Sequence, residues 1–262
     1  MEAIVQLTAD PQVRVTIEAT DMFSDTVSIV VYRSVDGVET TVRSSLMAAA
    51  AGGWTGIDWE APVGPVAYRA EMFDTDGNDL GSTISVFATL EYSDSDAAWI
   101  SDPLDATSAI QVFMSSGSES AQSRPVSGTT YALGDRTVVL AGQRSPLTGL
   151  HADFETLTAA DRQSVQSLID QTGGLVLLRT APEVPLPRLL YCWCADPQPS
   201  MSVMDDFEQA LWSNQANEVS EIQGPPAVAA VPYSIYEAAF PTYGDAEAAY
   251  STYLEAYKNP PS

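Results

Sequence analysis

The chain has 262 residues, of which 45% are hydrophobic and 18% are charged, a composition typical of globular proteins rather than disordered ones. Its length predicts two domains plus an appendage. Acidic residues outnumber basic ones by 35 to 11, giving a formal net charge of −24. Because phosphate binding needs clustered lysine and arginine, this charge argues against nucleic acid and anionic membrane surfaces as partners. The acidity is interpreted as a solubility feature, with a cationic partner or divalent ions as the alternative.

No targeting or membrane segment is visible in the sequence. The start, Met1-Glu2-Ala3, lacks the basic residues and apolar core of a signal peptide. No stretch approaches the roughly 20 apolar residues that span a bilayer. We therefore expect synthesis in a cytoplasm and no membrane insertion.

The two cysteines, Cys192 and Cys194, are predicted to act as small buried hydrophobic residues. On a strand they share a face, but they lie too far apart for an unstrained disulfide. Together with the single histidine, His151, they fall short of the four ligands of a structural zinc site.

Residues 1–93 show the pattern of a β-sandwich. Val13, Val15 and Ile17 alternate with polar residues, which is typical of a half-exposed antiparallel strand. Asp36-Gly37 is a dipeptide favoured in tight hairpins. The density of such short strands, six or seven in about 90 residues, indicates a sandwich. Further alternating stretches are 27–31, 38–42, 66–73 and 84–90.

A polar break at residues 94–98 leads to a second unit, which we place at 99–230. Within it, the β-branched run 137–141 (TVVLA), bounded by glycines, predicts a buried strand. The stretch 201–222 fits a polar-faced strand pair better than a helix. Other predicted strands are 110–114, 175–178 and 189–194.

One helix is predicted in this unit, near residues 159–171. Thr158 is its expected N-cap, with Asp161 three residues on. Gly173-Gly174 is its expected end, because glycine enters the left-handed cap without steric cost. Its apolar stripe comprises Val165, Leu168 and Ile169.

Residues 231–262 predict a tyrosine-rich, partly helical C-terminal arm. The quartets YSIY, FPTY and YSTY form an imperfect repeat, and Asp245 is a candidate helix cap. The segment either folds over its own domain or docks on a neighbouring subunit, since tyrosine supplies large, rigid contact area at interfaces. The candidate interface residues are Tyr233, Tyr236, Tyr243, Tyr250, Tyr253 and Tyr257. The predicted fold is therefore mainly β: an N-terminal β-sandwich, a second β-rich domain with one helix, and a helical arm.

The order of elements resembles minor tail proteins of long-tailed bacteriophages, above all the distal-tail-like proteins of phages that infect actinobacteria. The resemblance covers about half of the chain and rests on four features. These are the arginine-flanked strand R-TVVLA-G, the helix start TLTAADR, an LLR strand, and a proline-rich approach to an aromatic strand. Separately, the passage YRAEMFDTDGNDLG resembles a fibronectin type III domain, which by itself names no function.

The resemblance implies a structural, non-enzymatic virion protein at the distal tail or tail tip, made in the host cytoplasm. It implies a ring of copies, a trimer or a hexamer, that connects to tube, tape measure and tip proteins. Residues 1–93 would then be an outward decoration or adhesion module, 99–230 the ring-forming domain, and 231–262 an arm to neighbours. No cofactor is expected.

The residue pattern does not favour an enzyme. His151 has Asp153 nearby, but no G-x-S-x-G pattern supplies a nucleophile, and P-loop, dinucleotide and H-E-x-x-H motifs are absent. The densest carboxylate cluster, Asp205-Asp206-Glu208, is expected to be solvated, because adjacent residues of a strand point to opposite faces. A hydrolase with two converging carboxylates stays as an alternative.

The sequence also offers two candidate binding functions. The loop 74–79 (DTDGND) could place oxygens around Ca²⁺, but its glycine is misplaced for an EF-hand loop, so a hairpin turn is favoured. A carbohydrate-binding or adhesion module that recognises host surface glycans would stack sugar rings on Trp54, Trp59 and Trp99. Because large aromatic side chains are mostly buried, we expect these three to serve core packing and junction contacts instead.

Overall fold

The computed structural model describes residues 1–6, 11–105, 107–115, 124, 126–133, 135–195, 197–201 and 209–222, with isolated positions 240, 245 and 249. Strands far outnumber helices in these ranges, which confirms the predicted mainly β class. The described part divides into two compact units. One contains residues 1–92 and 104–109, and the other contains residues 93–103 and 110–222.

The first unit contains nine strands and two short 3-10 turns, at Ala19–Asp21 and Arg43–Ser45. The strands are β1 (Glu2–Gln6), β2 (Gln12–Glu18), β3 (Ser28–Val35), β4 (Val38–Thr41), β5 (Ala48–Ala49), β6 (Gly53–Asp58), β7 (Gly64–Phe73), β8 (Asp79–Ser82) and β9 (Val86–Leu90). They form a sheet of order β1-β2-β6 and a sheet of order β4-β3-β7-β8, in which β5 pairs with β3 and β9 pairs with β7.

Both sheets of the first unit contribute side chains to one hydrophobic core. The buried face predicted for β2 is confirmed, since Val13, Val15 and Ile17 are fully buried, but the opposite face is not solvent-exposed as expected, because Thr16 is also buried. Asp36 and Gly37 join β3 to β4 with φ values of 51° and 81°, the left-handed conformation that the predicted tight hairpin requires. Apolar residues at every second position were therefore enough to locate the core-facing side of β2 in the sequence.

The second unit contains eleven strands and helix α1 (Ala159–Thr172). The strands are β10 (Ala97–Ser101), β11 (Ile110–Met114), β12 (Val126–Leu133), β13 (Arg136–Arg144), β14 (Leu150–His151), β15 (Phe154–Thr156), β16 (Leu175–Thr180), β17 (Leu189–Cys194), β18 (Gln198–Met201), β19 (Ala210–Ser213) and β20 (Gln215–Glu218). Nine of them form one sheet of order β14-β20-β17-β16-β10-β11-β15-β19-β18, and β12 and β13 form a sheet of their own.

The nine-stranded sheet closes on itself into a barrel. β14 and β15 follow one another almost without a break, and β19 and β20 are separated only by Asn214. Leu150 pairs with Ala216 at one end of this double ladder, and Phe154 pairs with Trp212 at the other. The amide of Asn214 donates to the carbonyl of Ala152 at 3.0 Å and bridges the junction. The path from β20 through β17, β16, β10 and β11 to β15 therefore begins and ends on the same two paired segments, 150–156 and 210–218.

Helix α1 connects β15 to β16, and both its predicted ends are confirmed. The hydroxyl of Thr158 accepts the backbone N–H of Asp161 at 3.1 Å, and Gly173 ends the helix with a φ of 61°. Val165 and Leu168 are buried, as predicted for the apolar stripe, against β11, β15 and β16.

The prediction that residues 137–141 form a buried strand is wrong. The strand exists as β13, but Val138, Val139 and Leu140 are 40%, 58% and 64% exposed. The reason is that β13 pairs with β12 in a separate two-stranded hairpin, and no strand or helix of the described residues covers it. The barrel strand that leads into the helix is β15, which is too short for a pattern of apolar residues to reveal.

Other predictions for the second unit are confirmed. The polar stretch after residue 201 contains strands β19 and β20, although each pairs with other strands rather than with its neighbour in sequence. Cys192 and Cys194 are buried and free. A hydrogen bond with Cys194, together with burial, raises the pKa of the Cys192 thiol well above its ordinary value. The Cys192 thiol therefore stays protonated, while the same hydrogen bond lowers the pKa of Cys194.

Candidate functional site: an exposed hairpin

The hairpin formed by β12 and β13 presents an apolar face to solvent. Directly opposed residues of an antiparallel pair lie on the same face, and successive pairs alternate between the two faces. One face, here called the hairpin face, is formed by the pairs Thr129 with Leu140, Tyr131 with Val138, and Leu133 with Arg136. Four of these six side chains are large and apolar.

Nothing in the described part of the chain buries this face. Tyr131 is 49% exposed, and Leu133 and Leu140 are each 64% exposed. A lone two-stranded hairpin is marginally stable in water, and a contiguous exposed apolar patch usually marks an interaction site. The hairpin face is therefore an apolar surface of the second unit that the described residues leave exposed to solvent.

The base of the hairpin is held by one carboxylate, that of Glu218 on β20. Its Oε2 accepts the backbone N–H of Leu147, just after β13, at 2.7 Å. The same oxygen lies 3.2 Å from Nη2 of Arg124, just before β12. The backbone N–H of Glu218 also donates to the carbonyl of Leu147 at 2.8 Å. Both ends of the hairpin are therefore anchored to the barrel at one point, while its strands pair only with each other.

The hairpin is also basic in an acidic chain. Residues 124–144 hold three of the 11 basic residues of the protein and one of its 35 acidic residues. Arg136 lies on the hairpin face next to the turn, and it is exposed. An apolar face with a cationic tip suits a partner surface that is apolar and anionic.

A second polar constellation, in the first unit, is buried and structural. Nη1 of Arg33 lies 2.8 Å and 3.0 Å from the two carboxylate oxygens of Asp58, which also accepts the hydroxyl of Tyr68 at 2.9 Å. Burial alone would lower the pKa of Arg33, but the carboxylate of Asp58 outweighs it and raises that pKa. Burial, and after it the charge of Asp58, raises the pKa of Tyr68 well above its usual range. Sequence analysis missed this cluster, because its members are far apart in sequence and each looks like a surface residue.

The tyrosines predicted to form an interface lie outside the described residues. They are Tyr233, Tyr236, Tyr243, Tyr250, Tyr253 and Tyr257. The carboxylate cluster Asp205, Asp206 and Glu208 also lies outside them. Their predicted roles stay predictions.

His151 and Asp153 lie in the second unit, on and just after β14. His151 is half-buried, and the carboxylate of Asp153 accepts the backbone N–H of Asn214 at 2.8 Å. This bond gives Asp153 a role in the barrel junction. Among the described residues, no group of three histidine, cysteine or acidic side chains is placed to hold a metal ion. No helix in the same ranges is long and apolar enough to cross a membrane.

The loop at residues 74–79 is a hairpin turn, as predicted. One oxygen of Asp74 accepts the backbone N–H groups of Asp76 and Asn78, each at 2.8 Å, and the other accepts the Asn78 side chain at 2.9 Å. These bonds, the side chain of Asn78 first, lower the pKa of Asp74. Gly77 has a φ of 79°, which such a turn needs. Both carboxylate oxygens of Asp74 are therefore engaged within the turn.

Two of the three candidate sugar-stacking tryptophans are core residues. Trp54 and Trp99 are each 8% exposed, and Trp59 is half-buried. The Trp54 indole lies directly over Gly56, where a Cβ atom would clash with the ring. The prediction of core packing is confirmed for Trp54 and Trp99, and the glycan-binding alternative loses these two rings as a platform. In comparisons with known proteins, no protein family, curated protein or solved structure matches this chain.

Proposed function

We propose that this protein is a structural component that assembles with copies of itself, and that the hairpin face forms the contact. The observation that carries the proposal is the exposed apolar face of β12 and β13 on a barrel whose own strands are otherwise paired into a closed sheet. Burying such a face against another subunit removes apolar area from water and supports a hairpin that is weak alone.

The wider setting that we propose is the tail of a long-tailed bacteriophage, at its distal end or tip. The protein would form a ring, a trimer or hexamer, that connects tube, tape measure and tip proteins. Support for this setting comes from the order of sequence elements between residues 136 and 194. The first unit would be a fibronectin type III-like decoration, which its division into a three-stranded and a larger antiparallel sheet favours.

Two acidic side chains of the described residues have structural roles, which fits a structural protein. In the described ranges the buried carboxylate of Asp58 is satisfied by Arg33 and Tyr68, and Asp153 is used at the barrel junction. A hydrolase would need two carboxylates facing a cleft.

The test is the native mass of the full chain over a range of concentrations, for three proteins. The wild type is expected to be a closed oligomer, and the variant Leu133→Ser/Leu140→Ser is expected to shift towards the monomer. The matched control is Ile84→Ser/Phe87→Ser, which removes two apolar side chains of the first unit that are 89% and 78% exposed. A wild type that stays monomeric at every concentration would contradict self-assembly. Labelling of whole phage particles by an antibody against the chain tests the proposed setting.

A further inference from the structure

We infer that the hairpin of one copy docks head to tail on a carboxylate-rich surface of a second copy, and not on the hairpin of that copy. This inference rests on the proposed function, because it names the partner surface of the same contact. The distribution of charge between the hairpin and the rest of the chain supports this partner surface.

Hairpin-to-hairpin contact is disfavoured by like charge. Residues 124–144 carry three arginines against one aspartate, and one of the three, Arg124, already faces Glu218. Two hairpin faces placed together would bring two copies of Arg136 into an apolar contact with no carboxylate on either face. Like charges placed together at an interface act against association.

The rest of the chain has a net negative charge. Outside residues 124–144 the chain carries eight basic and 34 acidic residues, which is what remains of its totals of 11 and 35. Several of these basic residues are already neutralised. Arg33 and Arg43 form buried ion pairs with Asp58 and Glu60, and Arg69 pairs with two carboxylates. Carboxylates therefore outnumber basic side chains among the residues of a second copy that the hairpin could contact.

The geometry of the hairpin suits such a contact. Arg136 stands at the turn, at the end opposite to the Glu218 anchor, and the apolar pairs lie between them. Eight residues of β12 extend about 25 Å at the usual rise of a strand. A projecting element of this length reaches a neighbour, where its tip charge meets carboxylates and its apolar side chains supply the buried area.

A head-to-tail contact has a consequence for assembly. Each copy offers one hairpin and one acceptor surface, so contacts repeat until a ring closes or a filament grows. A hairpin-to-hairpin contact would instead stop at a dimer. The two arrangements can be told apart with a variant that has lost its hairpin face but keeps its acceptor surface.

The experiment mixes isotope-labelled wild type with unlabelled full-length Leu133→Asp/Leu140→Asp and records native masses. Both substitutions are on exposed side chains outside the barrel core, and amide hydrogen exchange of the barrel strands checks that the variant folds. Head-to-tail docking predicts mixed species, in which the variant accepts a wild-type hairpin, and shorter assemblies as the variant fraction rises. Wild-type oligomers without any mixed species would overturn the inference and leave the proposed function standing. A monomeric wild type would overturn both.

A second variant tests the same inference if the first does not fold. Arg136→Glu is expected to weaken self-association by about threefold to tenfold and to make it less sensitive to salt, since a rim charge contributes on this scale. The matched control is Arg136→Lys, which keeps the charge and should keep the salt dependence. Self-association that is unchanged or stronger in Arg136→Glu would overturn the inference.

Discussion

Arg33 and Asp58 join the two sheets of the first unit through a buried ion pair. Nη1 of Arg33 on β3 lies 2.8 Å from the nearer carboxylate oxygen of Asp58 at the end of β6, and the two side chains are only 1% and 2% exposed. The backbone N–H of Glu60 and the hydroxyl of Tyr68 also donate to Asp58, at 3.1 Å and 2.9 Å. A carboxylate so deeply buried is tolerated because each of its oxygens is hydrogen-bonded.

We predict that Asp58→Ala lowers the free energy of unfolding of the first unit by about 3–5 kcal/mol, because it leaves the Arg33 guanidinium buried without its carboxylate. Urea unfolding of the full chain, followed by hydrogen exchange in β3 and β6, measures the change. The control is Glu39→Ala, which breaks the partly exposed ion pair with Arg69 and should cost much less. Equal losses in the two variants would contradict the role given to Asp58.

The raised pKa of Tyr68 predicts that the first unit loses stability at alkaline pH. Its folded-state pKa lies well above the ordinary value of 10.0, chiefly because the side chain is buried. Below pH 10 the tyrosine is protonated in both states, so its contribution is complete. As the pH rises above 10.0, the unfolded chain loses the proton first, and the free energy of unfolding falls.

The variant Tyr68→Phe should remove this part of the pH dependence. The expected change is a slope shallower by up to about 1.4 kcal/mol per pH unit above pH 10, measured by urea unfolding at a series of pH values. Tyr32→Phe is the matched control, because the half-buried Tyr32 has a raised pKa but not one well above its usual range. An unaltered slope in Tyr68→Phe would count against burial of a protonated tyrosine.

Gly174 is predicted to be intolerant of any side chain. It has a φ of 85°, and a Cβ atom there would run into the backbone carbonyl oxygen of Cys194. Gly174→Ala should therefore cost at least about 2 kcal/mol, since the left-handed conformation alone costs 1–2. Gly173→Ala is a close control. That residue is also left-handed, with a φ of 61°, but open space surrounds it, so about 1 kcal/mol is expected. Thermal unfolding of the two variants gives the comparison.

Glu218→Gln is predicted to loosen the base of the hairpin while the barrel stays folded. The substitution removes the charge that Arg124 faces and weakens the acceptor of the Leu147 N–H. Faster amide hydrogen exchange at Leu147 and along β12 and β13 is the expected result, with a loss of global stability of about 1 kcal/mol or less. Glu91→Gln removes the same charge from an exposed position and should leave these amides unaffected.

The C-terminal arm carries a prediction made from the sequence. Deleting residues 231–262 should leave the two β units folded and weaken ring formation, because it removes the tyrosines expected to contact neighbours. Native mass before and after the deletion is the measurement. An unchanged oligomer mass would show that the arm is not needed for assembly.

Strands with one buried face could be predicted from the sequence, and contacts between distant segments could not. Val13, Val15 and Ile17 reveal their strand because apolar residues that face the core recur at every second position. The run 137–141 has the composition of a core strand. It lies at the surface because no described strand or helix packs over it, and such packing is a tertiary property that the local sequence does not reveal. Likewise, the Arg33–Asp58 pair joins residues 25 positions apart. No local pattern distinguishes such buried charges from solvated ones.

The junction at Asn214 has a consequence for the synthesis of this protein. The barrel is completed when the segment around residues 150–156 pairs with that around 210–218. A ribosome must therefore translate beyond residue 210 before this last pairing can form. Until then the nascent polypeptide has two unpaired edge strands. Products truncated before Glu218 should therefore be prone to aggregation and degradation.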